Sequence, residues 1–502
     1  MISKVRSMGT GGIQGYEVSV EVYIATGLPG FEIVGLPDAA VNESRDRVRA
    51  AVKNCSMKFP VSRITVNLAP ADTKKVGTVY DLPMFVGILA ASGYINQPEE
   101  DCVFIGELSL SGDVRKVRGA LNMALEAQRI GIRKLFVPYE NAPEAAFAEG
   151  LSVYPVKNVK ELISHFTSDE LIEPLPAGTI PLPASDIPDF SDVKGQENVK
   201  RGLEVAAAGG HNIMLIGPPG AGKSMLAKRL PGILPDMSMD EMIECTRIHS
   251  VMGLTTADSP VVTARPFRAP HYSVSSTALA GGSAMAKPGE MSLAHNGVLF
   301  LDELPEFHRD TLETLRQPLE DGYVTISRAS YTSTYPSRFM LVCAMNPCKC
   351  GWYGHPSGRC TCTELSVKNY HERISGPLLD RIDMLVEVPS LDYDQLSSRP
   401  TGESSCAIKE RVEKARELQR ERFRDLSVRC NAYMGAKELE RFCRLDDKCS
   451  ELMRGAYDRM GLTARSYDRI LKVSRTIADL DGSEDIKPKH LAEAIQYRTY
   501  KL

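Results

Sequence analysis

The sequence lacks any run of about 18 uncharged apolar residues, so it offers no segment suited to crossing a bilayer as a helix. It also lacks a strong charge imbalance. A formal net charge of -4 over 502 residues gives no global pull toward nucleic acid, so any such binding must come from a local basic surface. No repeat with a period of about 20 to 50 residues is found, which sets aside solenoids and propellers. The opening stretch Met1-Ile2-Ser3-Lys4-Val5-Arg6-Ser7 has no basic-then-apolar run ending in small residues. No secretory signal is read there, and a cytoplasmic location is expected.

What is present is ordinary globular composition, 43% hydrophobic and 25% charged. At 502 residues the chain exceeds what one hydrophobic core supports, and two or more domains are expected. Twelve cysteines in a reducing compartment are expected to be thiols or metal ligands rather than disulfides. Pro174, Pro176, Pro181, Pro183 and Pro188 punctuate residues 171–189, which reads as an inter-domain linker because proline removes donors and favours extended backbone. Before it, residues 1–170 mix strand-like runs such as Arg63 to Leu68 with helical patterns such as Gly119 to Ile130, an α/β domain. After it, Asn212 to Ile216 and Gly297 to Leu301 read as buried parallel strands in a second α/β domain, 190–399. Residues 400–502 turn helical, with Ile408, Val412, Ala415, Leu418 and Phe423 near one face.

The strongest local signal is Gly217-Pro218-Pro219-Gly220-Ala221-Gly222-Lys223-Ser224, which follows a buried strand and precedes the helix-compatible Met225 to Arg229. Its glycines let backbone N–H groups close around phosphate oxygens, Lys223 neutralises β/γ charge, and the Ser224 hydroxyl suits Mg²⁺. Residues 217–225 are therefore the expected nucleotide-binding set. At the end of the second strand, Asp302 suits Mg²⁺ and Glu303 suits activation of an attacking water. The third strand, Phe339 to Met345, ends at Asn346, whose amide could orient that water. Arg381 and Arg465 are candidate cations for a transferring phosphoryl group, although each is equally compatible with a surface ion pair.

Cys348, Cys350, Cys360 and Cys362 form two C-x-C pairs separated by a glycine- and proline-rich turn. Four thiolates would close a tetrahedral structural Zn²⁺ site. The spacing departs from the commoner C-x₂-C pairs, His355 could replace one ligand, and free thiols are the alternative.

Together with Gly195-Gln196-Glu197, Arg265-Pro266-Phe267-Arg268-Ala269-Pro270-His271, Asn346-Pro347-Cys348 and Ala464 to Arg469, these segments resemble the AAA+ module of the magnesium-chelatase-like ATPases. The whole chain resembles the bacterial YifB/ComM competence-protein family. That resemblance implies ATP and Mg²⁺ as cofactors, Asn346 as sensor 1, Arg381 as a finger acting on the neighbouring subunit, and Arg465 as sensor 2. It also implies a homo-oligomeric ring, usually hexameric, with the 400–502 region as a helical lid. Residues 1–170 resemble the Lon-protease-like, ribosomal-S5-like fold through Val66 to Asp72, Tyr80 to Pro83 and Phe104 to Gly131. Peptidases of that fold need a serine–lysine dyad. Val79 and Leu121 align with those positions, so no proteolysis is expected, and Ser109, Ser111 and Lys116 are weak substitutes.

For the track, Arg265, Arg268, His271 and Tyr272, and a hairpin expected over Gly322–Arg328 and Tyr331–Arg338, lie in insertions that face the central pore in the resembled family. Cations there would grip phosphates and aromatics would stack on bases. The interleaved charges of 409–429 read instead as a solvated helix face. The resemblance implies an ATP-driven motor on single-stranded or branched DNA, performing helicase action or branch migration in recombination or natural transformation. The alternative is a chaperone-type ATPase that remodels a protein partner, as the metal-insertion ATPases do. A protein partner could also meet the N-terminal domain.

Overall fold

The computed structural model describes residues 1–168, 170–178, 187–282, 286–328, 331–391 and 402–499, without the side chains of Arg328 and Tyr331. Residues 179–186 of the expected linker and the expected lid start at 400 lie outside the described residues. The chain divides into two compact units. One is Met1–Leu182 with Met239–Thr263 and Ser327–Tyr335; the other is Pro183–Ser238, Ala264–Ile326 and Pro336–Leu502. No helix among the described residues is long and apolar enough to cross a membrane.

The first unit is built on a seven-stranded mixed sheet. Its spatial order is Gly30–Val34, Arg63–Ala69, Gln14–Ala25, Ile2–Gly11, Cys102–Phe104, Lys134–Pro138, Ser152–Val156. The period of two that marks a half-buried strand is plain in Val18, Val20 and Val22 and in their neighbours Ile64, Val66 and Leu68, all buried. The Asp81–Ala91 helix, apolar on nearly every side, is buried along its length except at Ala90. Helical sequence at Gly119 to Ile130 forms the Ala120–Arg129 helix, entered through Gly119 at φ 76°. The Met239–Met252 helix joins this unit through packing that no local pattern encodes. Val261 clusters with Leu121 and Phe147, and Arg247 Nη2 donates to Ile13 O at 2.9 Å.

The second unit carries a five-stranded parallel sheet in the order Phe267–Arg268, Val298–Leu301, Met340–Met345, Ile213–Ile216, Met384–Glu387. Its central strands are buried at every residue, as continuous apolar runs in a sheet covered on both faces must be. The order has a functional consequence. The Met340–Met345 strand lies between the other two, so the loops after Ile216, Leu301 and Met345 leave adjacent carboxyl ends, where an α/β sheet forms its ligand crevice.

The C-terminal part of this unit is helical: Ser405–Arg422, Ala436–Phe442, Asp447–Met460, Ala464–Leu480 and Pro488–Gln496. The expected apolar face of the first helix holds at Ile408, Val412 and Ala415 and continues to Phe423, but Leu418 is 42% exposed and Gln419 is buried in its place. The Gln419 amide satisfies itself by donating to Ala208 O at 3.0 Å and accepting from Asn431 N–H at 3.0 Å. Charges of the same helix pair mostly with residues of other elements, Lys409 with Asp236, Arg411 with Glu204 as well as nearby Glu403, and Arg422 with Asp479.

Candidate nucleotide site

The loop after Ile216 runs through Gly220 at φ 78° and Gly222 at φ 88°, left-handed turns that place Lys223 at the first position of the Lys223–Arg229 helix. The helix N-terminus and the loop's N–H groups form a ready site for anionic oxygens. Lys223 is 8% exposed, and its ammonium donates to Gly217 O at 2.7 Å, Pro218 O at 2.9 Å and Asn346 Oδ1 at 3.1 Å. Burial lowers its pKa, while the Asp302 and Glu303 carboxylates pull the other way. Ser224 Oγ donates to Asp302 Oδ2 at 2.6 Å. Two hard oxygens side by side are the donor set Mg²⁺ takes, so Ser224 and Asp302 fit that ion.

Glu303 stands at φ 53°, a left-handed backbone unusual for a residue with a side chain, and its N–H donates to Asp302 Oδ1 at 2.9 Å. Its side chain is exposed at the mouth of the cleft. Strain of this kind concentrates where a side chain must be aimed. Pro219, Lys223, Ser224, Met225, Asp302, Glu303 and Asn346 line one cleft of about 370 Å³. One contributor was not singled out for a role from sequence. Gln196, at φ 59°, donates from Nε2 to Ala221 O at 2.7 Å and so ties the phosphate loop to the start of the Glu197–Gly209 helix. Its left-handed conformation, which gives no sequence signal in glutamine, is the reason.

Arg381 and Arg465 do not line this cleft. They line a second cavity of about 170 Å³ in the same unit, together with Arg338, Arg469 and Lys472. Arg381 is ion-paired to Glu320 and donates to Pro377 O at 2.7 Å; Arg465 Nη1 meets Asp380 Oδ2 at 3.2 Å. Arg469 Nε meets Asp383 Oδ1 at 3.2 Å, and Arg498 Nη1 donates to Ile382 O at 2.7 Å. The 380–383 segment is therefore keyed to the Ala464–Leu480 helix and to Arg498 beyond the Pro488–Gln496 helix, and Arg381 and Arg465 share one cavity.

The four cysteines converge. Sγ–Sγ separations are 3.2 Å for Cys348–Cys350, 3.9 Å for Cys348–Cys360 and 3.6 Å for Cys350–Cys360, and with Cys362 all ligand atoms lie within 4.8 Å. Four thiolates around Zn²⁺ at about 2.3 Å would stand about 3.8 Å apart, so the cluster fits that ion. The Cys350 thiol is brought down to about 6. Burial would raise it, but hydrogen bonds from the Trp352 and Thr361 backbone and from neighbouring thiols outweigh that. His355 is engaged elsewhere, with Nδ1 at 2.7 Å from Ser357 Oγ and Nε2 at 3.2 Å from Ser390 Oγ.

Several other expected residues are committed to internal contacts. Arg268 forms a two-pronged pair with Glu290 at 2.6 and 2.8 Å, and Arg265 donates to Asn296 O at 2.7 Å. His271 and Tyr272 remain accessible, their rings 4.1 Å apart. The expected hairpin forms between Tyr323–Arg328 and Tyr331–Pro336. In the first unit Ser109 and Ser111 both donate to Asp113, and Lys116 donates to Thr255 O. Val79 and Leu121 are buried among apolar side chains.

Comparison with known proteins gives a consistent picture. Residues 189–396 match the family described as magnesium chelatase, subunit ChlI; residues 20–141 match subunit ChlI of Mg-chelatase; and residues 402–498 match the C-terminal part of that subunit. The chain is 43% identical over 500 residues to the competence protein ComM of Haemophilus influenzae, covering 98% of this chain and 97% of that one. It is also 43% identical over 500 residues to YifB of Escherichia coli, covering 99% and 97%. A more distant similarity, 22% over 327 residues, covers 61% of this chain and 36% of the zygotic DNA replication licensing factor mcm6 of Xenopus tropicalis. With a nucleotide cleft at the carboxyl edge of a parallel sheet and a helical C-terminal region, the chain belongs to the YifB/ComM family of magnesium-chelatase-like AAA+ ATPases.

Proposed function

We propose that the protein is a ring-forming motor that hydrolyses ATP and spends the energy moving on DNA. The observation that carries this reading is the split of its charged groups. The phosphate loop, Asp302, Glu303 and Asn346 meet in one cleft, while Arg381 and Arg465 gather in another. In the proposed cycle Lys223 and the loop N–H groups grip the β- and γ-phosphates, and Ser224 and Asp302 would hold Mg²⁺, whose charge would offset that of the phosphates. Glu303 accepts a proton from the attacking water as its oxygen bonds to the γ-phosphorus and ADP leaves; Asn346 orients that water. Arg381 and Arg465 reach the nucleotide of a neighbouring copy, where a planar cation spreads over the transferring oxygens. Glu320 and Asp380 hold those guanidinium groups in the separate chain.

For the track, the distant similarity to a DNA replication licensing factor supports DNA. His271, Tyr272 and Tyr323 are exposed and suit base stacking. The test is ATP turnover and branch migration on forked and four-way DNA with wild type and Lys223→Ala. DNA-stimulated turnover that falls with salt and vanishes in the variant is the expected result. Indifference to DNA at low salt would overturn the DNA part. The magnesium-chelatase matches across all three segments favour a second reading, in which the ring remodels a protein partner, and turnover stimulated by a protein but not by DNA would select it.

A further inference from the structure

The cysteine cluster and the phosphate loop are built against one another. The Met340–Met345 strand delivers Asn346 to the Lys223 ammonium, and after one intervening residue, Pro347, the chain enters the cluster at the fully buried Cys348. His371 Nε2 donates to Pro347 O at 2.8 Å and pins that step. The chain then reverses at Gly351, with φ +86° and its N–H donating to Cys348 O at 2.9 Å. A Cβ at Gly351 would lie 2.5 Å from Pro219 Cδ and 2.6 Å from Pro219 Cγ, both in the phosphate loop. No side chain fits between the two loops. Asn346 therefore bears on the nucleotide cleft through Lys223, and Gly351 bears on it through Pro219, from the two ends of one short segment.

We infer that Zn²⁺ at Cys348, Cys350, Cys360 and Cys362 acts as a clamp on the phosphate loop, so that metal occupancy and nucleotide affinity are coupled. The inference rests on the nucleotide reading of the cleft. Metal binding fixes the turn that seats Gly351 on Pro219, and the seated turn holds the loop in the shape that receives phosphate. Coupling between two sites is reciprocal, so nucleotide must retain the metal by the same factor by which the metal retains nucleotide. A metal loop serving only local stability would show neither effect.

The sequence supplies a control and a reporter. Gly354 lies in the same loop at φ +75°, yet a Cβ there meets nothing within 4 Å. Alanine strains the backbone at both glycines, but only at Gly351 does it push on Pro219. Trp352, the one tryptophan in the chain, sits beside Gly351 with the His355 ring edge-on at 5.0 Å and the Arg359 guanidinium 5.1 Å from its ring centre. Its emission reports the loop alone.

The experiment uses the full chain as wild type, Gly351→Ala, Gly354→Ala and Lys223→Ala. It measures zinc per chain, affinity for ATPγS, Trp352 emission on nucleotide addition, and zinc release to a chelator with and without ATPγS. Gly351→Ala is expected to keep its zinc and lose on the order of tenfold in ATPγS affinity, comparable to one charged hydrogen bond, with Gly354→Ala near wild type. ATPγS should shift Trp352 emission and slow zinc release in wild type and do neither in Lys223→Ala. Equal affinities for the two glycine variants, zinc release indifferent to nucleotide, or a chain that binds no zinc would each overturn the clamp. Should Gly351→Ala fail to fold, the zinc-release comparison of wild type with Lys223→Ala decides alone. Wild type that binds no ATPγS refutes the nucleotide reading itself, an outcome distinct from nucleotide binding without coupling.

Discussion

The phosphate cleft and the arginine cavity lie in the same unit and hold their charges in different ways. Lys223 is held by neutral oxygens, two loop carbonyls and the Asn346 amide, which a phosphate can displace without leaving a bare charge behind. Arg381 and Arg465 are instead held by the carboxylates of Glu320 and Asp380. The charge of a cation paired with a carboxylate is already compensated, and drawing it away requires a competing anion of comparable charge, although the buried Arg381 Nε has no hydrogen-bond partner among the described residues. On the ring reading, the two regions are the two halves of one catalytic centre, and each chain is complete only when its arginines meet another chain's nucleotide.

The largest effect that could break this comparison belongs to Arg381. Arg381→Ala is expected to lower turnover about a thousandfold while leaving ATP affinity within a few-fold, the pattern of a group that acts only in the transition state. A loss confined to affinity would place Arg381 with ground-state binding instead. Next is Glu303→Gln, which removes the proton acceptor. Turnover should fall about a hundredfold or more with nucleotide still bound, as measured by single-turnover assay beside equilibrium titration.

Arg465→Ala sharpens the comparison further. Arg465 has a more exposed side chain than Arg381, so a turnover loss of about tenfold is expected, again without loss of ATP affinity. A drop in affinity on isolated chains would mean that Arg465 serves its own cleft. The smallest effect is expected from Glu320→Gln. Freeing Arg381 from a largely exposed partner should lower the protein concentration giving half-maximal turnover by about twofold, the scale of a surface ion pair. A rise in that concentration would show that Glu320 supports assembly rather than opposing it.

How much of this was legible in the sequence follows from how local each signal is. The three central strands were readable because burial on both faces requires unbroken apolar runs, and the phosphate loop because its glycines and lysine must be contiguous. The cysteine cluster was readable for the same reason, since both pairs lie within one short turn. Leu418 and Gln419 exchanged roles because helical periodicity fixes a face only to within one residue, and Ala208 O offered the buried amide a partner. The contacts of Arg265 with Asn296 and of Arg268 with Glu290 carry no local sequence signal, because the fold brings together residues 31 and 22 positions apart. The assignment of Met239–Thr263 to the first unit rests on contacts with Ile13, Leu121 and Phe147 that only tertiary structure creates.

The central claim, that one chain's Arg381 serves another chain's nucleotide, is tested most directly by mixing two inactive proteins. Glu303→Gln keeps its arginine and Arg381→Ala keeps its glutamate. Combined in equal amounts and allowed to exchange, random assembly joins an intact cleft to an intact arginine at about one interface in four, so DNA-stimulated turnover should recover to roughly a quarter of wild type. A mixture as inactive as either protein alone would contradict the account and return Arg381 to its own chain's site.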